Sequence, residues 1–409
     1  MAAPRNASVA FIFVVLLLDT LGIGLIIPVL PRLIDDIVEG DLTNASRYFG
    51  ALVALYSAVQ FVCAPILGAL SDRFGRRAVI LSSLLGAALN YVLLAFAPNL
   101  AWLVVGRVIA GATGASFSAA TAYIADVTPA EKRAAAFGLV GAAFGLGFII
   151  GPALGGLLGG VSLRAPFLVA AGLNGLNVVY GLFVLPESLA PEHRRAFSMR
   201  RANPLTSLKN LTRSPMLIGL TGTIICAYTA QMILQSVWAL HTQARFGWSP
   251  FNIGISLAVV GLASALVQAG LVRIAIPKLG EQRAVLVGIF FSVTGYIAMG
   301  AATEGWMMYV LIFPFAIGGI SGPAVQAILT REVGASEQGE LQGTLVSLQS
   351  LTAIFGPILA TSLFARFAPE TAVPRIPGAA FYAAAMLNAI GFVLAWRLFA
   401  RLKIRPSSV

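Results

Sequence analysis

Charge is what this sequence has least of. Only 11% of its 409 residues are Asp, Glu, Lys or Arg, against 58% hydrophobic. Soluble proteins carry about 25% charged residues, and a soluble chain this apolar would leave its excess on an aggregating surface. A soluble globular protein is therefore excluded, and a lipid bilayer is the solvent that fits. Cysteine and histidine are also scarce, at two of each. Cys63 and Cys226 fall inside apolar stretches without metal-ligand spacing and read as small core residues. His193 and His241 are isolated and fall outside those stretches, so no metal site is expected. No nucleotide-binding loop and no nucleophile–base arrangement occur, so no enzyme is expected. A cleavable leader is not expected either. Arg5 precedes an apolar run broken by Asp19, without a small-residue cleavage site, and this run reads as a first span.

What is present is long hydrophobic runs and 42 glycines, a glycine content that suits close helix approach in a membrane. A spanning helix needs about 20 mostly apolar residues. Windows of that kind fall at 9–30, 49–70, 78–97, 100–123, 135–159, 164–185, 215–240, 251–275, 283–303, 305–329, 340–366 and 377–400. The reading is an all-α membrane protein of twelve transmembrane helices in two six-helix halves. These are an N-terminal half (1–185), a cytoplasmic linker (186–214) rich in Arg and Pro, and a C-terminal half (215–409).

Orientation follows from the placement of Lys and Arg. With both termini cytoplasmic, the whole net charge of +11 falls in cytoplasmic segments. The basic residues there include Arg73, Arg76, Arg77, Lys132, Arg133, Arg194, Arg195, Arg200, Arg201, Lys209 and the tail from Arg397 to Arg405. One-sided charge of this kind is a topology signal and removes the nucleic-acid reading. The expected location is the inner membrane, multi-pass, and a monomer is expected.

The halves also resemble each other. Gly75, Gly114 and Gly151-Pro152 recur 205 positions later as Gly280, Gly319 and Gly356-Pro357, and Arg77-Ala78-Val79 recurs 206 later as Arg283-Ala284-Val285. Parallel six-helix repeats are the layout of transporters that rock one half against the other.

The loop after span two reads Gly68-Ala-Leu-Ser-Asp72-Arg73-Phe-Gly75-Arg76-Arg77, and span five reads Gly147-x-x-x-Gly151-Pro152-x-x-Gly155-Gly156. These resemble signature A of the major facilitator superfamily and signature C of its drug/proton antiporter branch. Arg107, Gly111 and Gly114 in span four resemble signature B. The first span, Leu18-Asp19-Thr-Leu-Gly22-Ile-Gly24-Leu-Ile-Ile-Pro28-Val-Leu-Pro31, is similar to that of the tetracycline efflux proteins. So are Arg245-Phe-Gly-Trp248 and Glu340-Leu-Gln-Gly-Thr-Leu-Val-Ser347. The resemblance runs through nearly the whole chain. It implies a major facilitator fold and drug/proton antiport.

Each motif also has its own physics. In the signature A loop, Asp72 suits the positive N-terminal end of a neighbouring helix, and Arg73 or Arg76 can pair with Asp126 at the end of span four. Such pairs, made in one state and broken in another, form a latch; the plainer reading is topology signalling by basic residues. In span five Gly147, Gly151, Gly155 and Gly159 are four apart and form a bare stripe for close packing. Pro152 removes a backbone donor and bends the helix. The resemblance adds a gating role for this stripe.

Asp19 and Arg107 are the clear charges within the spans. Asp19 lies roughly 15 Å deep in a ~30 Å hydrocarbon core, at 1.5 Å per residue. Ionisable groups at that depth are costly and face a cavity or a partner. One reading is proton coupling, with Asp19 gaining and releasing a proton as water access changes sides. The other is a structural ion pair with Arg107.

Candidate substrate-binding residues are the polar and aromatic side chains of the spans: Gln60, Asn90, Asn174, Asn177, Gln231, Gln235, Trp238, Gln268 and Gln326. Amides and aromatics suit a small amphipathic organic molecule, and each amide is equally a candidate for interhelical hydrogen bonding. Tetracycline exporters carry further acids in spans three and nine and a histidine in span eight. Here Asn90, Ser292 and Ala263 stand at those positions. An amide or hydroxyl neither releases a proton nor ligates a divalent cation as a carboxylate does.

The expected function is therefore proton-coupled efflux of an amphipathic organic compound across the inner membrane, not specialised for metal–tetracycline. The expected partners are substrate, protons and lipid bilayer, with no cofactor and the proton gradient as energy source. The alternatives are a proton-independent or uptake facilitator of the same fold, and a non-transporting membrane receptor.

Overall fold

The computed structural model describes residues 9–38, 42–114, 116–128, 133–194, 215–332 and 338–404. Most of the 186–214 linker lies outside these residues, as do Lys132 and the end of the basic tail. The side chains of Arg133, His193 and Glu340–Thr344 are likewise not described. Among the described residues no strand occurs.

The first helices are α1 (Val9–Ile26), α2 (Leu30–Ile37), α3 (Leu42–Phe74), α4 (Arg76–Ala95), α5 (Leu100–Thr113), α6 (Ser116–Val127), α7 (Arg133–Val161) and α8 (Ala165–Phe183). The later ones are α9 (Pro215–Phe246), α10 (Pro250–Leu266), α11 (Val272–Leu279), α12 (Glu281–Ala301), α13 (Gly305–Ile317), α14 (Ser321–Glu332), α15 (Gln338–Phe367) and α16 (Ala379–Ile404). Eleven stretches of 18 or more residues are helical and apolar enough to cross a membrane, and α5 is a shorter apolar helix. This is a multi-pass all-α membrane protein.

Several expected spans are interrupted, each for a local reason. The 9–30 window ends as a helix at Ile26, because Pro28 cannot donate and disfavours helix at the residue before it. Pro31, in the first turn of α2, is where proline is tolerated. The 100–123 window breaks between Thr113 and Ser116, with Gly114 as the cap of α5. The 305–329 window passes through a 3-10 turn at Gly318–Ile320. The 251–275 window passes through a π-helical turn at Val267–Leu271.

The helices form two compact units. The first comprises Met1–Asp41, Leu55–Asn203 and Ser249–Ala258, and the second Leu42–Ala54, Pro204–Trp248 and Val259–Val409. The division between the units thus runs through α3 and α10. In the first unit α1 packs on α7 and α8, and α4 packs on α5, α6 and α8. Its core joins Ile12 and Leu16 of α1 to Ile80 and Leu84 of α4, Tyr123 of α6 and Leu185 beyond α8. In the second unit α9 packs on α15 and α16, and α12 packs on α13, α14 and α16. Its core joins Leu220, Val285, Ile289, Leu329, Leu348 and Phe399. Helices α12, α14 and α15 begin 205 positions after α4, α6 and α7. The internal repeat of the sequence is therefore a repeat of helices and of packing partners.

Lipid supplies little hydrophobic drive between helices, so close contact must hold them. Along α7 the glycine stripe faces α1. A methyl at Gly147 would meet Thr20, at Gly151 would meet Gly24 and Leu21, and at Gly155 would overlap the Leu25 backbone. Gly156, on another face, meets Pro250 and Gly254 of α10. Elsewhere large apolar side chains such as Phe96, Leu176, Phe183 and Trp306 are well exposed, as a lipid-facing surface requires.

Candidate functional site

Two polar groupings stand out in the first unit, one within the spans and one at the turn between α3 and α4. The first is built on α1, α3, α4 and α5. The Asp19 carboxylate and the Arg107 guanidinium both act electrostatically on the phenols of Tyr56 and Tyr91, so four helices bring these side chains into one neighbourhood. Tyr56 shares a side-chain hydrogen bond with Gln60, and Gln60 Nε2 donates to the Gly114 carbonyl at 3.1 Å. Asp19 sits between two α1 positions that face the same wall. The Val15 carbonyl accepts from Asn177 Nδ2 at 2.9 Å, and Gly22 lies against Asn174 and Tyr91. Gly106, next to Arg107, lies against the buried Asn90 amide oxygen. The glycines at 22 and 106 let these side chains approach α1 and α5 closely.

The second grouping starts from Gly75. Its φ of 104° and ψ of 155° lie in a region open essentially to glycine alone. The turn ends α3 and starts α4, and it aims Arg76 back at α3. Arg76 Nη1 donates to Ser71 Oγ at 2.9 Å and Asp72 Oδ1 at 2.5 Å, and its Nε donates to Asp126 Oδ2 at 3.1 Å. Ser188 Oγ donates to the same Asp126 oxygen at 3.1 Å. Arg73 points outward and lies 5.0 Å from the centre of the Phe74 ring.

Beneath the turn is Glu187, from the irregular segment that follows α8. Its carboxylate accepts the backbone N–H of Arg76 at 2.9 Å and of Arg77 at 3.3 Å. It also accepts those of Ser188 and Leu189, both at 3.0 Å. A helix start exposes unsatisfied N–H groups and a partial positive charge, and Glu187 supplies the anion from 111 residues away.

The remaining sequence candidates are dispersed. Asn177 is fully buried, and its bond to Val15 makes it a tie between α8 and α1. On α9, Gln231 and Gln235 are exposed, whereas Trp238 is buried. Gln268 Nε2 donates to the Gly319 carbonyl at 3.4 Å, and Gln326 is half-buried on α14. His241 needs a correction. Helix α9 continues to Phe246, so His241 lies inside a membrane-spanning helix and not beyond it. It is buried edge-on to Phe246 and Phe381, with Nδ1 3.2 Å from the Pro377 carbonyl. Among the described residues no three His, Cys, Asp or Glu side chains gather as a metal site would require.

Sequence reasoning missed Tyr56, Tyr91 and Glu187. The tyrosines sit in apolar windows, where an aromatic reads as core. Glu187 sits in a polar stretch where nothing marks its distant partner.

The Major Facilitator Superfamily model matches residues 12–305 and 220–408. The class C tetracycline resistance protein of Escherichia coli is 44% identical over 378 residues, covering 92% of this chain and 95% of that protein. Multidrug resistance protein 2 of Bacillus subtilis is 31% identical over 364 residues, covering 86% and 88%. Among solved structures, the human organic anion transporter TETRAN matches with a TM-score of 0.70 at 25% identity, covering 95% of this chain and 98% of that one. With family matches spanning nearly its whole length and a helical repeat to go with them, this chain belongs to the Major Facilitator Superfamily, as a membrane transport protein related to the tetracycline resistance proteins.

Proposed function

We propose that this protein exports an amphipathic organic compound in exchange for protons across the inner membrane. The observation that carries the reading is the grouping of Asp19 with Tyr56, Tyr91 and Arg107 within the spans. A carboxyl placed there is costly and is retained for use. In the cycle, Asp19 takes a proton from the outer side and the protein rocks inward. The proton then leaves, and substrate binds for export. Arg107 brings a positive charge to the same tyrosines, and the phenols offer hydrogen bonds to either state of the carboxyl.

Asp72, Arg76 and Asp126 form the latch, on the cytoplasmic face that also carries both termini, and Arg73, which points outward here, is the gating candidate that joins it only in another state. Gly147, Gly151, Pro152 and Gly155 form the close-packed seal. Substrate is taken by amides and aromatics, from Gln60 and Asn90 in the first half and from Gln231, Gln235, Trp238, Gln268 and Gln326 in the second. Asn177 contributes through its place beside α1. The halves 1–185 and 215–409 act as the rocking bodies of a monomer that needs no cofactor beyond the proton gradient.

The names of the relatives point to tetracycline or to several drugs, and the residues favour a substrate other than a metal chelate. Asn90 and Ser292 offer no charge to a cation, and Ala263 is a buried methyl. Everted vesicles under a pH gradient test both parts. Asp19→Asn should abolish gradient-driven uptake of a transported drug while leaving substrate exchange intact. Intact gradient-driven uptake by that variant would overturn proton coupling through Asp19 and favour the proton-independent reading. Strong magnesium-dependent tetracycline uptake by the native protein would overturn the substrate part.

A further inference from the structure

The Arg76–Asp126 pair has a counterpart in the second unit. The shift of 205 positions that carries Gly75 onto Gly280 and Gly114 onto Gly319 also carries Arg76 onto Glu281 and Asp126 onto Arg331. The backbone repeats with the sequence. Gly280, at φ 75° and ψ 155°, precedes α12 as Gly75, at φ 104° and ψ 155°, precedes α4. A glutamine also ties each mapped glycine, though not at a mapped position: Gln60 donates to Gly114 at 3.1 Å, and Gln268, three residues beyond the position the shift gives, donates to Gly319 at 3.4 Å. At the mapped positions Glu281 and Arg331 form an ion pair. Each unit therefore joins the first residue after a glycine turn to the last turn of a following helix, α6 in one case and α14 in the other. The geometry is kept and the charges are exchanged.

The helix dipole explains why the two polarities differ in what else they need. A helix start favours an anion and a helix end favours a cation. Glu281 starts α12 and Arg331 ends α14, so this pair is favourable in itself. Arg76 starts α4 and Asp126 ends α6, against both dipoles, and Glu187 provides the missing anion at the start of α4. Arg331 is 68% exposed, so the second pair is weakly held and opens at little cost.

We propose that Glu281–Arg331 is a second latch, with reversed charge, that acts alongside Arg76–Asp126 in gating transport. The inference rests on the latch reading given above and adds a gate in the C-terminal half. Its test uses the full-length protein in proteoliposomes, with Cys63 and Cys226 replaced by serine. A reporter cysteine at Gln231, at mid-length of α9, is labelled from the cytoplasmic side by a water-soluble maleimide. Glu281→Gln and Arg331→Gln should each change the labelling rate about two- to fivefold, the scale of an exposed pair. The change should have the same sense as for Asp126→Asn. The two together should change it no more than either alone, and the exchanged pair E281R/R331E should bring the rate back toward that of the parent.

If Asp126→Asn changes labelling while the Glu281 and Arg331 variants do not, the second latch is overturned and the first stands. If none of the three changes it, the latch reading itself falls. Should Glu281→Gln lower the unfolding temperature and the exchanged pair restore neither stability nor labelling, the pair is structural and the inference is overturned.

Discussion

Gly75 is the residue on which the first latch turns. Its backbone lies where other residues are strained, and a methyl there would overlap the Glu187 carboxylate. Gly75→Ala should therefore cost about 1–3 kcal/mol for the backbone alone, seen as a clear fall in apparent unfolding temperature in detergent. Glu187→Gln keeps the shape and removes the charge. It should lower stability by about 1.5–3 kcal/mol, the range for hydrogen bonds to an ionised group, with Glu187→Asp recovering part of the loss. Native-like melting of both Gly75→Ala and Glu187→Gln would show that the turn does not depend on this brace. The two charges inside the spans were legible in sequence because a lone Asp or Arg is conspicuous among apolar residues. Their companions Tyr56 and Tyr91 were not, since a tyrosine in an apolar window looks like any core aromatic until its neighbours are known. Glu187 was invisible for a different reason: its meaning lies in a helix start more than a hundred positions earlier.

Among the elements, α7 and α1 approach each other backbone to backbone. Gly151 and Gly155 meet backbone atoms of Gly24, Leu21 and Leu25, which cannot rotate away as a side chain end can. Leucine at either position should separate the helices and abolish transport, with much reduced folded yield. Alanine at Gly147 meets mainly the Thr20 side chain, so it should be milder, of the order of the 1–3 kcal/mol typical of overpacking. Size-exclusion profiles of the variants in detergent would rank them, and equal yields for leucine and alanine would count against the seal. The stripe was legible because period-four glycines mark one helical face. The helix breaks were less so. Hydropathy runs smoothly through 9–30 and 100–123, and the interruptions come from proline's missing donor and from the glycine at 114, which hydropathy does not weigh. The same smoothness hid His241, because a polar residue near the end of a window reads as the end of the helix.

At the scale of the whole molecule, the repeat of 205 positions was visible in a few glycines and a Gly-Pro pair, and the helices extend it to entire segments. What the sequence did not suggest is that α3 and α10 are each divided between the two packed units. Hydropathy describes a residue's solvent and says nothing of which neighbours it has.

The brace at Glu187 carries one more consequence, for where this polypeptide can be severed. Residues Leu185 to Leu189 follow the last apolar helix of the first half, yet Leu185 and Leu189 are buried and Glu187 holds four amides in place. A break after residue 185 would strip the first fragment of its own keystone, whereas a break after residue 194 would leave it whole. Two co-expressed fragments divided at 194/195 should reassemble into working transporter, and fragments divided at 185/186 should not. Equal recovery from both divisions would mean that the brace is dispensable to the finished fold.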